Sequence, residues 1–155
     1  MTTTTLPATR ATLGNYMSLI CFQYLRVGTE DVAERAPVVA AGRQRGYDVI
    51  AGLGLLGAVS DGAAIRQLLD DTLGERGTRL CLVQAIHNLP DGAYRVHLTE
   101  GACTFGQVAA QPHCAFTLGV FIGALHGLTG TRMRGQETEC CACGAEECIY
   151  VISPV

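Results

Sequence analysis

The apolar positions of this chain follow a helical period in its first half and a strand period after it. Across residues 65–73 they recur every three to four positions, which predicts a helix capped by Asp61. An earlier apolar segment predicts a helix that begins at Pro37 and ends by Gly54. The stretch 16–27, YMSLICFQYLRV, is apolar at both helical and strand spacing, so its periodicity leaves the type of element open.

Strand spacing appears next. The stretches RLCLVQAIHN and AYRVHLTEG flank the turn 90–92, PDG, which predicts an antiparallel hairpin. A long apolar helix is predicted to open at Pro112 and to end near Gly127 or Gly130, and the remaining residues predict strands around a cysteine-bearing turn, the last over 149–152. This order of elements favours an α+β domain in which helices pack on a twisted antiparallel sheet.

Length and composition narrow the class of protein. A chain of 155 residues is expected to form one domain, here residues 15–155 behind a flexible threonine-rich arm over residues 1–14. It is 48% hydrophobic and 16% charged with a net charge of -3, which argues against a nucleic-acid partner and favours burial of apolar surface, including in a homodimer. The sequence shows no apolar run long enough to span a membrane and no secretory signal, so we expect a cytoplasmic protein.

Cysteines carry the strongest chemical signal. The chain has eight, and in a reducing cytosol metal binding, burial or redox chemistry explains them better than disulfides do. Near the carboxyl end, Cys140 and Cys143 form a C-x-x-C and Cys148 follows a Gly-containing turn, with Glu137 three residues upstream of Cys140. Cys114 lies at the predicted start of the long helix, whose dipole favours a thiolate. These residues supply the ligand types that zinc prefers.

Other interpretations of the cysteines stay open at this point. The turn 140–148 can hold its thiols incidentally, or as a redox pair, although a thioredoxin-type C-x-x-C precedes a helix and this one precedes a strand. Cys21, Cys81 and Cys103 lie in separate apolar stretches and are interpreted as plain buried thiols.

The motifs resemble a known family. Cys114, then Glu137-x-x-Cys140, then the stretch 148–152, CIYVI, are similar to the C-terminal signature of the 4-vinyl-reductase-type small-molecule-binding domain, named from bacteriochlorophyll biosynthesis and also found as the sensor of aromatic-responsive transcription activators. The resemblance covers about the last sixty residues with specific motifs. It implies a fold similar to TRAPP subunits and haem NO-binding domains, commonly as a dimer.

The resemblance also implies a ligand set. Sensor members hold zinc with one glutamate and three cysteines, which correspond here to Glu137, Cys114, Cys140 and Cys148, with Cys143 as an alternative ligand. Four protein ligands close the shell of the metal, which favours a structural zinc over a catalytic one. Four anionic ligands around a divalent ion leave a charge near minus two, and two arginines, Arg132 and Arg134, are candidates to offset it.

A glycine stripe marks the long helix. Gly119, Gly123 and Gly127 recur every four residues, which indicates either close packing of another helix or room for a flat apolar ligand. His126 on the same helix is a candidate hydrogen-bond donor to a ligand or an iron ligand in a tetrapyrrole, and Arg43 and Arg45 are candidate partners of a ligand carboxylate. The candidate pocket residues are Tyr94, Phe116, Val120, Phe121, Gly123 and His126.

The sequence contains no nucleophile, phosphate-loop or dinucleotide motif that would predict an enzyme by itself. We therefore expect a zinc-containing domain that binds a hydrophobic small molecule (a hydrocarbon, a phenol or a tetrapyrrole) between the long helix and the sheet and acts as a sensor or carrier. The alternatives are an accessory protein or enzyme of chlorophyll or other tetrapyrrole biosynthesis, and a dimeric interaction scaffold like the TRAPP subunits.

Overall fold

A computed structural model describes residues 18–155. The predicted arm over residues 1–14 lies outside them. Three helices come first: α1 (Leu19–Val32), α2 (Arg35–Gly52) and α3 (Gly62–Leu73). The stretch whose periodicity was ambiguous is helical from Leu19 onward, and the hydroxyl of Ser18 caps it by accepting a hydrogen bond from the Cys21 amide at 3.2 Å. The predicted cap of α3 is confirmed, because Asp61 accepts from the Ala64 amide at 2.9 Å.

Four strands form one antiparallel sheet. They are β1 (Leu82–Asn88), β2 (Tyr94–Thr99), β3 (Met133–Glu139) and β4 (Cys148–Pro154), in the order β1-β2-β4-β3. The predicted hairpin of β1 and β2 is confirmed. The long helix, α4 (Ala115–Thr129), begins three residues after Pro112 and ends at Gly130, whose positive φ of 70° is the left-handed conformation that ends helices.

The core lies between the sheet and the helices α3 and α4. One face of β2 and β4 is buried against them, and its largest fully buried side chains include Tyr150, Ile152 and Leu98 from the sheet and Phe121 and Leu125 from α4. Alternation along β2 confirms the predicted faces, because Tyr94 is buried there while Arg95 is exposed. α4 is therefore the central helix, with the sheet on one side and α2 on the other.

Glycines set the distance between α2 and α4. A Cβ added at Gly46 would lie 2.0 Å from the carbonyl oxygen of Val120, and one added at Gly123 would lie 1.9 Å from that of Arg43. The glycine stripe of α4 thus packs against a second helix of the same chain, which is one of the two interpretations that its spacing allows. The backbones touch, so this stripe leaves no room for a ligand.

The predicted α+β architecture is confirmed, with four helices and an antiparallel sheet of four strands. Within residues 18–155, none of the helices combines the length and the apolar character needed to cross a membrane.

Candidate metal centre and adjoining cavity

Three neighbouring elements deliver four ligand-type side chains to one point. Cys114 is the N-cap of α4, Glu137 lies in β3, and Cys148 is the first residue of β4. Cys140 follows β3 and opens a single 3₁₀ turn that Gly144 closes at a φ of 96°. Because β3 and β4 pair antiparallel, this short turn returns the chain to the same edge of the sheet, where the start of α4 also lies.

The geometry of the four side chains suits a tetrahedral metal. One ligand atom from each of Cys114, Glu137, Cys140 and Cys148 lies within 4.8 Å of all the others, and all four residues are buried. The sulfur atoms of Cys114 and Cys148 are 3.7 Å apart. Metal–sulfur bonds of about 2.3 Å at tetrahedral angles place two sulfur atoms about 3.8 Å apart. The thiols are therefore spaced as ligands of one ion would be.

Glu137 supplies an independent test of that fit. Its Oε2 accepts hydrogen bonds from Arg35 at 3.0 Å and from the Cys114 amide at 3.3 Å. Its Oε1 is buried and has no hydrogen-bond partner among the described residues. A buried carboxylate oxygen without a partner is costly unless a cation binds it. The carboxylate thus presents one free oxygen to the thiols and fits a metal that takes it as the fourth ligand.

Arg35 is a contributor that the sequence did not reveal. The first residue of α2, it forms an ion pair with Glu137 and donates a second hydrogen bond to the Pro112 carbonyl at 3.1 Å. It therefore ties α2 to β3 and to the segment before α4. The arginines expected to offset the charge of the site, Arg132 and Arg134, are exposed, and Arg35 pairs with the carboxylate instead.

The electrostatics of the group favour charge on sulfur. Hydrogen bonds from the Cys114 and Cys148 thiols hold the pKa of Cys140 far below its ordinary value. Burial raises the pKa of Glu137 to about 7, opposed by the hydrogen bond from Cys114. Without a cation the site holds a proton that the carboxylate must release before it can bind one.

The remaining cysteines separate into two classes. Cys143, the alternative ligand, is exposed and lies outside the group of four. Cys81 is buried, in agreement with its interpretation as a plain buried thiol, whereas Cys21 is exposed because none of the residues of α1 is fully buried. Cys103 is buried but is not isolated, since its sulfur lies 3.6 Å from that of Cys114.

A cavity of about 1160 Å³ adjoins this centre. Its apolar wall comes from α1, α2 and α4, and its rim from the segment between α3 and β1. The lining includes Leu19, Phe22, Val49, Leu73, Leu80, Ala102, Phe105, Phe116 and Val120, with Arg45, Arg76, Arg79, Glu75 and Glu100 among the charged residues. Phe116 and Ala102 lie two residues after Cys114 and one before Cys103, so the cavity and the centre share backbone.

Two of the six candidate pocket residues, Phe116 and Val120, line this cavity, and the structure places the other four elsewhere. Phe121 points to the sheet and packs on Tyr150 with ring centroids 6.0 Å apart, while Gly123 contacts α2. His126 stacks against Tyr47 at 5.0 Å, and the hydroxyl of Tyr94 donates to the Ser60 carbonyl at 2.7 Å. The space between α4 and the sheet is filled by core side chains, so the cavity lies on the opposite side of α4 from the predicted pocket.

Comparisons with known proteins agree with this geometry. The family model of the 4-vinyl reductase domain matches residues 99–154, the segment that holds all four ligand-type residues. No curated protein sequence matches the chain. Among solved structures, a vinyl-4-reductase family protein from Methanocaldococcus jannaschii is 12% identical, with a TM-score of 0.58 over 88% of this chain and 78% of that one.

Sensor domains share the fold as well. The phenol-responsive sensory domain of the transcription activator PoxR, solved with phenol, is 19% identical with a TM-score of 0.53 over 89% of this chain and 75% of that one. An H-NOX protein from Shewanella oneidensis in the Fe(II)NO state is 12% identical, with a TM-score of 0.56 over 96% of this chain and 83% of that one. At these identities the likeness concerns the fold.

The same architecture occurs in a vesicle-trafficking protein. A trafficking protein particle complex subunit 3 from Naegleria fowleri, covalently bound to palmitic acid, is 15% identical with a TM-score of 0.52 over 88% of this chain and 93% of that one. The resemblance that the cysteine spacing predicts is thus confirmed: residues 99–154 match the 4-vinyl reductase domain, on a fold shared with 4-vinyl-reductase-type, H-NOX and TRAPP proteins.

Proposed function

We propose that this chain is a zinc-containing domain that binds a hydrophobic small molecule and serves as a sensor or carrier. The observation that carries the proposal is the buried group of three thiols and one carboxylate beside a large, mostly apolar cavity. Clefts that enclose small ligands are typically several hundred Å³ in volume and apolar, with few polar groups. Zinc suits the ligand set because cysteine and carboxylate oxygen are both among its ordinary ligands.

The centre is proposed to be structural. All four ligands come from the chain, and a catalytic zinc keeps a position for water or substrate. When bound, the ion would supply two positive charges that hold α4, β3 and β4 at one corner. Cys114 and Cys148 would fix the start of α4 against the sheet, and the cavity wall at Phe116 lies half a turn further along the same helix. In this proposal the metal shapes the cavity and takes no part in a reaction.

The ligand is proposed to be an apolar or aromatic molecule. Three phenylalanines, Phe22, Phe105 and Phe116, line the cavity, and aromatic faces favour flat apolar partners. The named ligands of two solved proteins with this fold, phenol and palmitic acid, belong to the same broad class. Arg45, one of the arginines considered as a carboxylate partner, lines the same cavity and is exposed.

We further propose a cytoplasmic homodimer. The apolar side chains of α1 that remain exposed include Ile20, Tyr24, Leu25 and Val32, at 65%, 81%, 62% and 88% of their accessible surface. Exposed apolar patches of this kind are typical of surfaces that a partner covers. All eight cysteines are free thiols in the described part of the chain, which suits a reducing compartment.

Native mass spectrometry tests the proposal in one experiment. We expect a dimer that carries about one zinc ion per chain and an additional mass from a hydrophobic ligand. Val49→Trp, which fills part of the cavity, should remove or weaken the ligand and leave the zinc, whereas Val151→Trp on the outer face of β4 is the matched control. A folded wild-type chain without zinc contradicts the metal centre, and a Val49→Trp variant that retains its ligand contradicts the cavity.

Replacement of Arg35 should weaken the metal centre without emptying it. Arg35→Met keeps most of the side-chain volume but removes the ion pair and the hydrogen bond that hold Glu137 Oε2. Loss of a partner that orients a metal ligand typically lowers metal affinity about 10- to 100-fold. Competition with a chromophoric chelator measures this change. Arg134→Met, an exposed arginine of β3, is the control, and equal affinities in the two variants would contradict the role of Arg35.

A further inference from the structure

A chain of polar side chains runs from the candidate metal centre to α1. Cys103 Sγ lies 3.6 Å from Cys114 Sγ and 3.5 Å from the hydroxyl oxygen of Thr117. The same hydroxyl accepts a hydrogen bond from Arg26 Nη1 at 3.3 Å, and Arg26 pairs with Glu30. Cys103 and Thr117 are buried, and Arg26 and Glu30 expose only 13% and 8% of their side chains.

The direction of each hydrogen bond follows from its two ends. Arginine carries only donors, so Thr117 accepts from Arg26 and its own hydroxyl proton is free to point to Cys103. A thiolate bound to a metal has no proton, so Cys114 accepts and Cys103 donates. With both ends fixed, the bonds run one way, from the guanidinium to the thiolate. Aligned bonds with a charge at each end reinforce one another in a buried setting.

α1 depends on such polar contacts to an unusual degree. None of its residues is fully buried. Besides Arg26, its chief tether is Gln23, which donates to the carbonyls of Ala102 at 3.1 Å and Phe105 at 2.9 Å, on the two sides of Cys103. Arg26 also lies over the rings of Phe22 and Phe116, 5.4 and 5.0 Å from their centroids, and both rings line the cavity. The segment that positions Cys103 therefore also holds the helix that walls the cavity.

We propose that Cys103, Thr117 and Arg26 form a hydrogen-bonded relay that couples the metal centre to α1, so that the state of Cys114 controls how firmly α1 closes the cavity. Cys103 acts as a positioning residue, since it touches a ligand of the metal and not the metal. The inference rests on the proposed zinc centre and adds a route by which that centre reaches the cavity wall. It also gives a function to a thiol that its sequence context marked as an ordinary buried cysteine.

Hydrogen exchange and cobalt substitution together test the relay. In the full chain loaded with zinc, Thr117→Val removes the hydroxyl at nearly constant volume and should speed amide exchange in residues 19–32 about tenfold, the factor expected for one lost hydrogen bond. Cys103→Ala should do the same and also lower zinc affinity about tenfold. With Co²⁺ in place of zinc, Cys103→Ala should shift the thiolate-to-metal charge-transfer band, because Cys114 loses a hydrogen bond.

Conservative variants and a matched control separate the relay from general destabilisation. Thr117→Ser and Cys103→Ser keep a donor and should recover most of the protection of α1, and they serve if Cys103→Ala fails to fold. Cys81→Ala removes an equally buried thiol and should leave both readouts unchanged. Zinc-loaded Thr117→Val and Cys103→Ala proteins with wild-type exchange and wild-type zinc affinity, or a Cys81→Ala protein that behaves like Cys103→Ala, overturn the relay alone. A wild-type chain that binds no zinc overturns the proposed function and the relay with it.

Discussion

Cys148→Ser is expected to remove the metal and to cost the chain much of its stability. The thiol lies 3.7 Å from that of Cys114, accepts from the Cys141 amide at 3.3 Å and begins β4, so it joins three parts of the site. A hydroxyl is a far weaker zinc ligand than a thiolate at neutral pH. A metal present at a thousand times its Kd stabilises the folded state by about 4 kcal/mol. We expect a loss of at least this size, and a zinc content below about one-tenth of an ion per chain.

Elemental analysis and urea denaturation of matched variants measure both effects. Cys143→Ser changes an exposed cysteine five residues away, so it should keep the metal and the unfolding midpoint. A Cys143→Ser protein that loses its zinc would return that residue to the ligand set. A Cys148→Ser protein that keeps a full complement of zinc would show that the four side chains converge for another reason.

Local chemistry explains which parts of the fold were predictable. The cap at Asp61, the turn of the hairpin and the glycine that ends α4 each depend on a few adjacent residues. The ligand set was accessible because three of its members fall within twelve residues around one turn, and the fourth begins the helix before it. Patterns of this kind survive in the sequence because a turn, a cap or a ligand pair restricts residue type at fixed spacing.

Contacts between distant positions explain what was not predictable. Arg35 and Glu137 are separated by 102 positions, and Arg26 and Thr117 by 91. An exposed helix start and a buried threonine carry no signal of such partners. The side of α4 that holds the cavity was also undetermined, because α4 is apolar on all its faces and its sequence does not distinguish the face toward the sheet from the face toward α2.

Those two contacts connect the metal centre with α2 and α1 as well as with the sheet. Arg35 links Glu137 to the start of α2, and α2 lies against α4 along the glycine contacts. Val49 of α2 and Phe116 of α4 are both walls of the cavity. A change at the metal ligands therefore reaches the cavity along α2 as well as along α4, and the close contact between those helices is what keeps both walls in place.

Gly123→Ala should destabilise the chain strongly for that reason. The new Cβ would lie 1.9 Å from the Arg43 carbonyl oxygen and 2.8 Å from the Tyr47 amide nitrogen, and both are backbone atoms that cannot rotate away. Overpacking of a core typically costs about 1–3 kcal/mol, and because separation of two helices is required here we expect about 3 kcal/mol or more. The cavity should change as well, so ligand binding is expected to weaken along with the free energy of unfolding.

Gly28→Ala is the matched control within α1. No atom of the described residues lies within 4 Å of a Cβ built at Gly28, which is exposed in the middle of its helix. Alanine there should stabilise the helix by about 0.5–1 kcal/mol, since glycine has the larger backbone entropy to lose. Urea denaturation of both variants measures the contrast. Equal effects would contradict the close packing of α2 on α4, because the same chemical change would then cost the same with and without a neighbouring helix.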